Sequence, residues 1–372
     1  MHTIYRKIWK QLLVTSIIAA VVFLWGLSSS LTENLYSNTV YPVISACLRS
    51  ISSLLPFPIG DLLYVLLILY VTRSVYIFAK KLFRKELQKH HRLLIPLKVL
   101  HFGLILYITF KILWGLNYSR PSISSTLGIS NNKYSDKQLV QLAQLLIQKI
   151  NHLETLRQAL PSENNKPYTV KELQVKATQA YYKRSKNQAF FRYRSPVVKP
   201  VINSWLITKI GLEGYYNPLS GEANVNMRLP EPDLPFVTSH EIAHQIGVAR
   251  EDEANLVGFL VAINSDDLDF QYSGYYAILK NVLFEVRLIA PDEFEALYDS
   301  INPGTLQDYQ NGIAFWRYYN NKMFGYMSAT LDSFLKINNQ QKGIDSYQDI
   351  VLWVYNVHEQ EIKEIKGKTL QP

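Results

Sequence analysis

The chain has 372 residues, of which 48% are hydrophobic, so it can bury a core in one large domain or two smaller ones. Its single cysteine, Cys47, excludes an intrachain disulfide framework. The formal net charge of +9 is unevenly spread: residues 1–120 carry 14 Lys and Arg against 3 Asp and Glu, whereas residues 121–372 carry 25 against 27. The larger part is nearly neutral, which argues against a nucleic-acid partner.

Three apolar stretches in residues 1–117 predict membrane-spanning helices near residues 12–31, 61–79 and 95–116. The first stretch contains no charged residue, and its length of about 20 residues matches a hydrocarbon core about 30 Å thick. A cleaved signal peptide is the alternative for this stretch, although its apolar part is longer than such peptides usually have. The lipid bilayer is therefore the first expected partner of the chain.

The distribution of basic residues predicts the orientation of these helices. Arg6, Lys7 and Lys10 precede the first stretch, and residues 80–92 between the second and third contain six Lys and Arg, whereas residues 32–60 contain only Arg49. Because positively charged loops are retained in the cytoplasm, the N-terminus is expected inside the cell. Three crossings then place the chain after residue 117 outside the cytoplasm.

Residues 118–134 are rich in Ser, Pro and Asn and predict a linker, so residues 135–372 are expected to form a separate extracytoplasmic domain. The pattern of this domain is mainly helical, with a capping box at Thr169 and Glu172 and a short strand at Ala223–Met227. The predicted fold class is thus an α-helical membrane region followed by a mainly α, α+β domain.

The sequence His240-Glu241-Ile242-Ala243-His244 is the motif with the clearest chemical meaning. Residues four apart project from the same face of a helix, so the two imidazoles can bind one metal ion. Zinc in such a site activates water and polarises a carbonyl group, and Glu241 would accept the proton of the water. Apolar residues surround the motif, and Gly247 is predicted to end its helix. Both features argue against a solvated helix face and favour a one-zinc catalytic site.

Acidic residues at the start of the next predicted helix supply candidates for a third ligand. The segment Glu251-Asp252-Glu253-Ala254-Asn255 resembles the Glu-x-x-Ala-Asp segment of gluzincin peptidases, in which a glutamate binds zinc. The resemblance implies that Glu251 is the ligand and that Asn255 supports a histidine ligand from behind. Glu253 is the alternative ligand. The short spacing from His244 departs from most gluzincins.

The order of these features along the chain resembles a bacterial membrane family of uncharacterised function with metallopeptidase-like motifs. The likeness includes the three apolar stretches, residues 214–226, the His-Glu-x-x-His motif and the segment that begins at Glu251. It implies a zincin-like domain that holds one Zn²⁺ ion. It also implies a multi-pass protein of the bacterial cytoplasmic (inner) membrane.

Residues that contact a substrate are predicted less directly. The strand Ala223–Met227 resembles the edge strand on which zincins bind an extended substrate, which makes Asn224 and Asn226 candidate substrate contacts. The alternative is that both are polar residues beside a turn. Candidates for stabilising an oxyanion are Tyr216, Tyr275 and His358.

These features predict a zinc metalloendopeptidase that hydrolyses peptides or membrane-proximal protein segments. Two alternatives remain: a non-catalytic zinc-binding protein for signalling or scaffolding, and an amidase acting on envelope peptides. Glu241 favours an enzyme, because a purely structural zinc site needs ligands but no neighbouring base.

Overall fold

The computed structural model describes residues 2–88, 90–160, 166–319, 322–338 and 349–369, and these are mostly helical, as predicted. The helices are α1 His2–Gly26, α2 Ser29–Leu31, α3 Tyr41–Ser52, α4 Ile59–Phe83, α5 His91–Leu113, α6 Ile123–Thr126, α7 Asp136–Gln158, α8 Val170–Ser185, α9 Ser204–Lys209, α10 Leu234–Gln245, α11 Glu251–Ala262, α12 Leu268–Ile289, α13 Pro291–Asp299, α14 Pro303–Tyr319, α15 Lys322–Ile337 and α16 Asp349–Thr369. The strands are β1 Val198–Pro200, β2 Gly214–Asn217 and β3 Glu222–Val225.

The chain divides into two compact units at Arg120. The first unit contains the residues up to Arg120 together with the loop Asn217–Gly221, and the second contains the remainder. Arg120 is buried, and its guanidinium donates two hydrogen bonds to the Glu33 carboxylate, at 2.7 and 2.9 Å. The second unit begins with buried positions, because Ile123 in α6 is 1% exposed. The segment 118–134, whose composition predicted a linker, therefore includes residues packed into a core.

The first unit contains three helices that are long and apolar enough to cross a membrane: Tyr5–Gly26, Ile59–Phe83 and His91–Leu113. The prediction of three such helices is confirmed. The first ends at Gly26 rather than near residue 31, because Ser28 starts a new helix by accepting a hydrogen bond from the Leu31 amide at 3.3 Å.

The core of the second unit lies among α7, α8, α10, α11, α12 and α16. Local sequence explains where several of these helices begin. Ser135 and Gln138 form a capping box at the start of α7, and the predicted capping box of Thr169 and Glu172 is confirmed at the start of α8. Helices α10 and α11 pack along each other and are buried on almost all sides, which fixes the residues that they hold between them.

The small sheet of the second unit has the strand order β1-β3-β2. Strand β1 pairs with β3 in parallel, with Val198 opposite Ala223. Strand β3 is therefore central, and the prediction that it is an edge strand is wrong, since both of its sides are already paired. Ala223 and Val225 lie in the apolar core that includes Ile242 of α10. Because side chains alternate along a strand, Glu222 and Asn224 point to the opposite face.

Candidate metal centre

A tight reversal between α10 and α11 brings the ends of the two helices together. Helix α10 ends at Gln245, and Gly247 has a φ of 90°, a conformation that favours glycine. The amide of Val248 then donates to the Ala243 carbonyl at 3.1 Å, which closes the end of the helix. The predicted helix end at Gly247 is confirmed. Helix α11 starts four residues later, at Glu251.

This reversal gathers three potential ligand atoms from His240, His244 and Glu251 within 4.8 Å of one another. The Nε2 atoms of the two histidines are 3.2 Å apart. Glu251 Oε2 lies 3.2 Å from His240 Nε2 and 3.7 Å from His244 Nε2. The His244 side chain is 5% exposed and that of Glu251 is 20% exposed, so the cluster is partly open to solvent.

Hydrogen bonds behind the two imidazoles fix which nitrogen faces the cluster. His244 Nδ1 lies 2.7 Å from the Val248 carbonyl oxygen, which can only accept, so this nitrogen carries the hydrogen. His240 Nδ1 lies 2.8 Å from Asn255 Oδ1, which accepts in the same way. In the neutral histidines both Nε2 lone pairs therefore point at each other and at a carboxylate oxygen. Such an arrangement requires a proton or a cation between them.

The separations of the three atoms fit a zinc ion. Typical Zn–N and Zn–O distances of about 2.0–2.2 Å put tetrahedral ligand atoms roughly 3.3–3.5 Å apart. The observed separations of 3.2, 3.2 and 3.7 Å bracket these values. At a bond length of about 2.1 Å they correspond to ligand–metal–ligand angles of roughly 100° to 125°. Two imidazoles and one carboxylate also leave one position of a tetrahedron for water or substrate.

Electrostatics within the cluster favour a bound positive charge. Burial disfavours the carboxylate of Glu251, but the neighbouring His244 and His240 outweigh this effect and hold the pKa of Glu251 well below its usual range. Burial also disfavours a charged imidazole, yet the Glu251 carboxylate raises the pKa of His244 to about 9. Burial lowers the pKa of His240. The Glu251 carboxylate therefore favours a positive charge at the two imidazoles, and a bound metal ion can supply that charge.

Glu241 follows His240 in α10 and is 4% exposed. Its Oε2 atom has no hydrogen-bond partner among the described residues. Burial raises the pKa of Glu241 to about 8, and a cation beside it would lower that pKa towards the range of a general base at neutral pH. Strand β2 makes room for the carboxylate at Gly214, where a Cβ atom would lie 2.6 Å from Glu241 Oε1.

The two residues predicted to assist the histidines have different positions. Asn255 contacts His240 as described, so it lies directly behind the cluster. Glu253 is turned away: its Oε1 accepts hydrogen bonds from the Ile123 amide at 2.9 Å and from Arg250 at 3.2 Å. Because successive residues of a helix point in different directions, Glu251 and Glu253 cannot both face the histidines. The geometry favours Glu251 as the third ligand.

The predicted substrate contacts Asn224 and Asn226 are both fully buried. The Asn226 side-chain amide donates to Thr208 Oγ1 at 2.8 Å and to the Leu212 carbonyl at 3.2 Å, so it ties the end of β3 to α9 and to the loop after α9. The Asn224 side chain points away from α10 and has no hydrogen-bond partner within the described part of the chain. Neither side chain offers a surface to a substrate in this structure.

The three residues predicted to stabilise an oxyanion are also separated. Tyr216 lies two residues after Gly214 in β2 and therefore points to the same face of the sheet, towards α10. Tyr275 and His358 lie elsewhere in the core, with their rings 6.4 Å apart and both against Phe259. His358 Nδ1 is 2.8 Å from Glu361 Oε1. These contacts pack both rings into the core.

Two glycines that the sequence analysis did not select lie against the motif. One is Gly214, described above. The other is Gly258 of α11, where a Cβ atom would lie 3.1 Å from the His240 amide nitrogen and 3.2 Å from its Cα. A glycine inside a helical pattern is a known signal for close backbone approach, and this signal could have identified Gly258.

Comparison with known proteins places the chain in a family. No curated protein and no solved structure matches it. A family model described as "Protein of unknown function (DUF3810)" matches residues 36–355, which include His240, His244 and Glu251. The chain therefore belongs to the DUF3810 family of proteins of unknown function.

Proposed function

We propose that this protein is a membrane-anchored zinc metallopeptidase. His240, His244 and Glu251 would hold one Zn²⁺ ion, and Glu241 would act as general base. The observation that supports this most strongly is the convergence of two imidazole lone pairs and a carboxylate oxygen at 3.2–3.7 Å. The chemistry is hydrolysis of a peptide bond in a peptide or in a membrane-proximal segment of a protein.

When bound in such a site, zinc polarises the scissile carbonyl and lowers the pKa of a water molecule towards about 7. The protein supplies orientation and proton transfer. Asn255 and the Val248 carbonyl hold the two imidazoles with their Nε2 atoms towards the metal position. The Glu241 carboxylate accepts the proton of the attacking water and delivers it to the nitrogen of the leaving amine.

The surroundings of Glu241 favour an enzyme over a structural zinc protein. Structural zinc sites use four protein ligands and need no base, whereas this cluster offers three ligands beside a buried carboxylate. Burying a carboxylate without a hydrogen-bond partner is unfavourable, and a role in catalysis explains why it is there. Tyr216 is the remaining candidate for contacting the oxyanion, since it shares the sheet face of Gly214.

The zincin-like character of the domain and its location are part of the same proposal. Support for the fold comes from α10 with its two histidines, α11 with its glutamate and a small sheet against α10. Support for the location comes from the three apolar helices and from the basic residues near residues 80–92. We place the protein in the bacterial cytoplasmic membrane, with the metal centre outside the cytoplasm.

A test of this proposal uses the full chain purified in detergent, together with Glu241→Gln and Glu295→Gln. Glu295 is an exposed glutamate of α13 and serves as the matched control. Zinc content is measured by elemental analysis, and cleavage of a peptide library is followed by mass spectrometry. We expect one zinc per chain in all three proteins, and cleavage by the wild type and Glu295→Gln only. Equal cleavage by Glu241→Gln would refute the assigned base, and zinc without any cleavage would favour a non-catalytic role.

A further inference from the structure

The second unit exposes a group of large apolar side chains around α9. In and beside this short helix, Ile202 is 60% exposed, Trp205 53% and Leu206 40%. Tyr318, near the end of α14, is 76% exposed. Together these four residues are called the α9 patch. Clustered apolar side chains on a surface mark an interaction site more often than single ones do.

A lysine joins the two parts of the α9 patch into one surface. Lys209 Nζ lies 5.9 Å from the centres of both the Trp205 ring and the Tyr318 ring. It also lies 5.5 Å from the ring centre of Tyr319. These distances allow favourable contact between a cation and aromatic faces. The patch therefore combines Trp, Tyr and aliphatic side chains with a basic residue.

This combination is typical of the interface between lipid headgroups and acyl chains. Trp and Tyr prefer that region because their rings are apolar while their NH or OH group can stay hydrated, and lysine can reach the phosphates. The same chain contains three helices long and apolar enough to cross a membrane, and a bilayer that holds them would tether the second unit. We propose that the α9 patch inserts into the interfacial region of the bilayer that holds these helices.

The α9 patch is structurally continuous with the wall of the metal centre. Thr208 of α9 accepts a hydrogen bond from Asn226 at 2.8 Å. The backbone N–H of Asn226 donates to the Glu213 carbonyl at 3.0 Å. Glu213 immediately precedes Gly214, which lies against Glu241. If the proposed peptidase function holds, this connection favours substrate segments that lie at the bilayer surface. The lipid contact itself does not depend on that function.

The test measures the depth of single spin labels on the full chain in vesicles of neutral and anionic phospholipids. Cys47, the only cysteine, is replaced by serine, and Trp205→Cys or Tyr318→Cys is then labelled with a nitroxide. Tyr182→Cys is the matched control, because Tyr182 is also aromatic, is 66% exposed and has Lys186 Nζ 5.1 Å from its ring centre. Collision rates with oxygen, which concentrates in lipid, are compared with those of a water-soluble nickel chelate.

We expect labels at 205 and 318 to favour oxygen over the nickel chelate, and the label at 182 to favour the chelate. Equal access of the chelate to all three positions would overturn the proposal. Labels at 205 and 318 that are shielded from both reagents would also overturn it, because a protein would then cover the patch. All three labelled proteins carry the change at an exposed position, so loss of the fold is not the expected outcome.

A second measurement does not rely on cysteine variants. Lipids brominated in their acyl chains quench nearby tryptophans. The part of the wild-type emission that is missing in Trp205→Phe belongs to Trp205, and these lipids should quench that part. An unquenched component would contradict the insertion of Trp205. Repeating the depth measurement with Glu241→Gln separates the two proposals. The depth should not change in that variant, even if the protein proves to have no peptidase activity.

Discussion

The identity of the third ligand leads to the sharpest prediction. Changing Glu251 to Gln keeps the size of the side chain but removes the charge that lies 3.2 Å from His240 Nε2. Changing Glu253 to Gln removes a carboxylate two residues away, which instead binds the Ile123 amide and Arg250. The two variants should therefore separate metal affinity from stability.

We expect the Glu251 variant to change zinc affinity and the Glu253 variant to change the free energy of unfolding. Structural zinc sites gain about 10–16 kcal/mol from four ligands, or roughly 2.5–4 kcal/mol for each. Losing Glu251 as a ligand should thus weaken zinc binding by about 10²- to 10³-fold, since each 1.4 kcal/mol is a factor of ten. Glu253→Gln should leave zinc affinity within about threefold of wild type. It should lower the free energy of unfolding by about 1–3 kcal/mol, because a buried partner of a charged group is weakened.

Zinc affinity is measured by competition with a chromophoric chelator, and stability by thermal unfolding in detergent with the metal removed. The Glu295→Gln variant controls for the substitution at an exposed position. The assignment fails if Glu253→Gln loses zinc while Glu251→Gln keeps it. It also fails if neither variant changes zinc affinity.

Three further predictions follow from contacts around the centre and in the core. Asn255→Ala should weaken zinc binding by about 10- to 100-fold in the chelator assay, since it frees the His240 imidazole, and an unchanged affinity would contradict that role. Gly258→Ala should weaken zinc binding by roughly 10-fold, because the added Cβ would press on the His240 backbone. In the control Gly274→Ala, the added Cβ would meet Ala262 at a similarly short distance, and this variant should lower only the Tm. Burial lowers the pKa of His358, so the unfolded chain binds a proton at this residue at a higher pH than the folded chain does. The Tm should therefore fall as the pH drops through about 6.5, and His358→Gln should reduce this fall. An identical fall in both proteins would contradict the prediction.

The parts of the structure that were predictable from sequence depend on local periodicity. Three long apolar runs predict three long apolar helices, and the four-residue spacing of His240 and His244 predicts that their side chains share a helix face. Gly247 ends α10 for a local reason as well, because its positive φ is the conformation that glycine tolerates best. Each of these features is set by residues a few positions apart.

The errors arise where distant segments meet. Nothing local in Ala223–Met227 reveals that Val198–Pro200 pairs with it, so the strand was expected at an edge although it is central. The positions of Tyr275 and His358 are also set by distant segments, since their helices bring both rings against Phe259. The positions of such residues depend on tertiary packing, which one sequence does not specify through periodicity.

The most direct test of the central claim is zinc K-edge X-ray absorption on the purified full chain. We predict stoichiometric zinc with only nitrogen and oxygen neighbours at about 2.0–2.2 Å, including the scattering pattern of two imidazoles. The pattern should lose one imidazole in His240→Ala, whose partner His244 would remain. Absence of stoichiometric zinc, a sulfur neighbour, or a spectrum unchanged by His240→Ala would contradict the proposed centre.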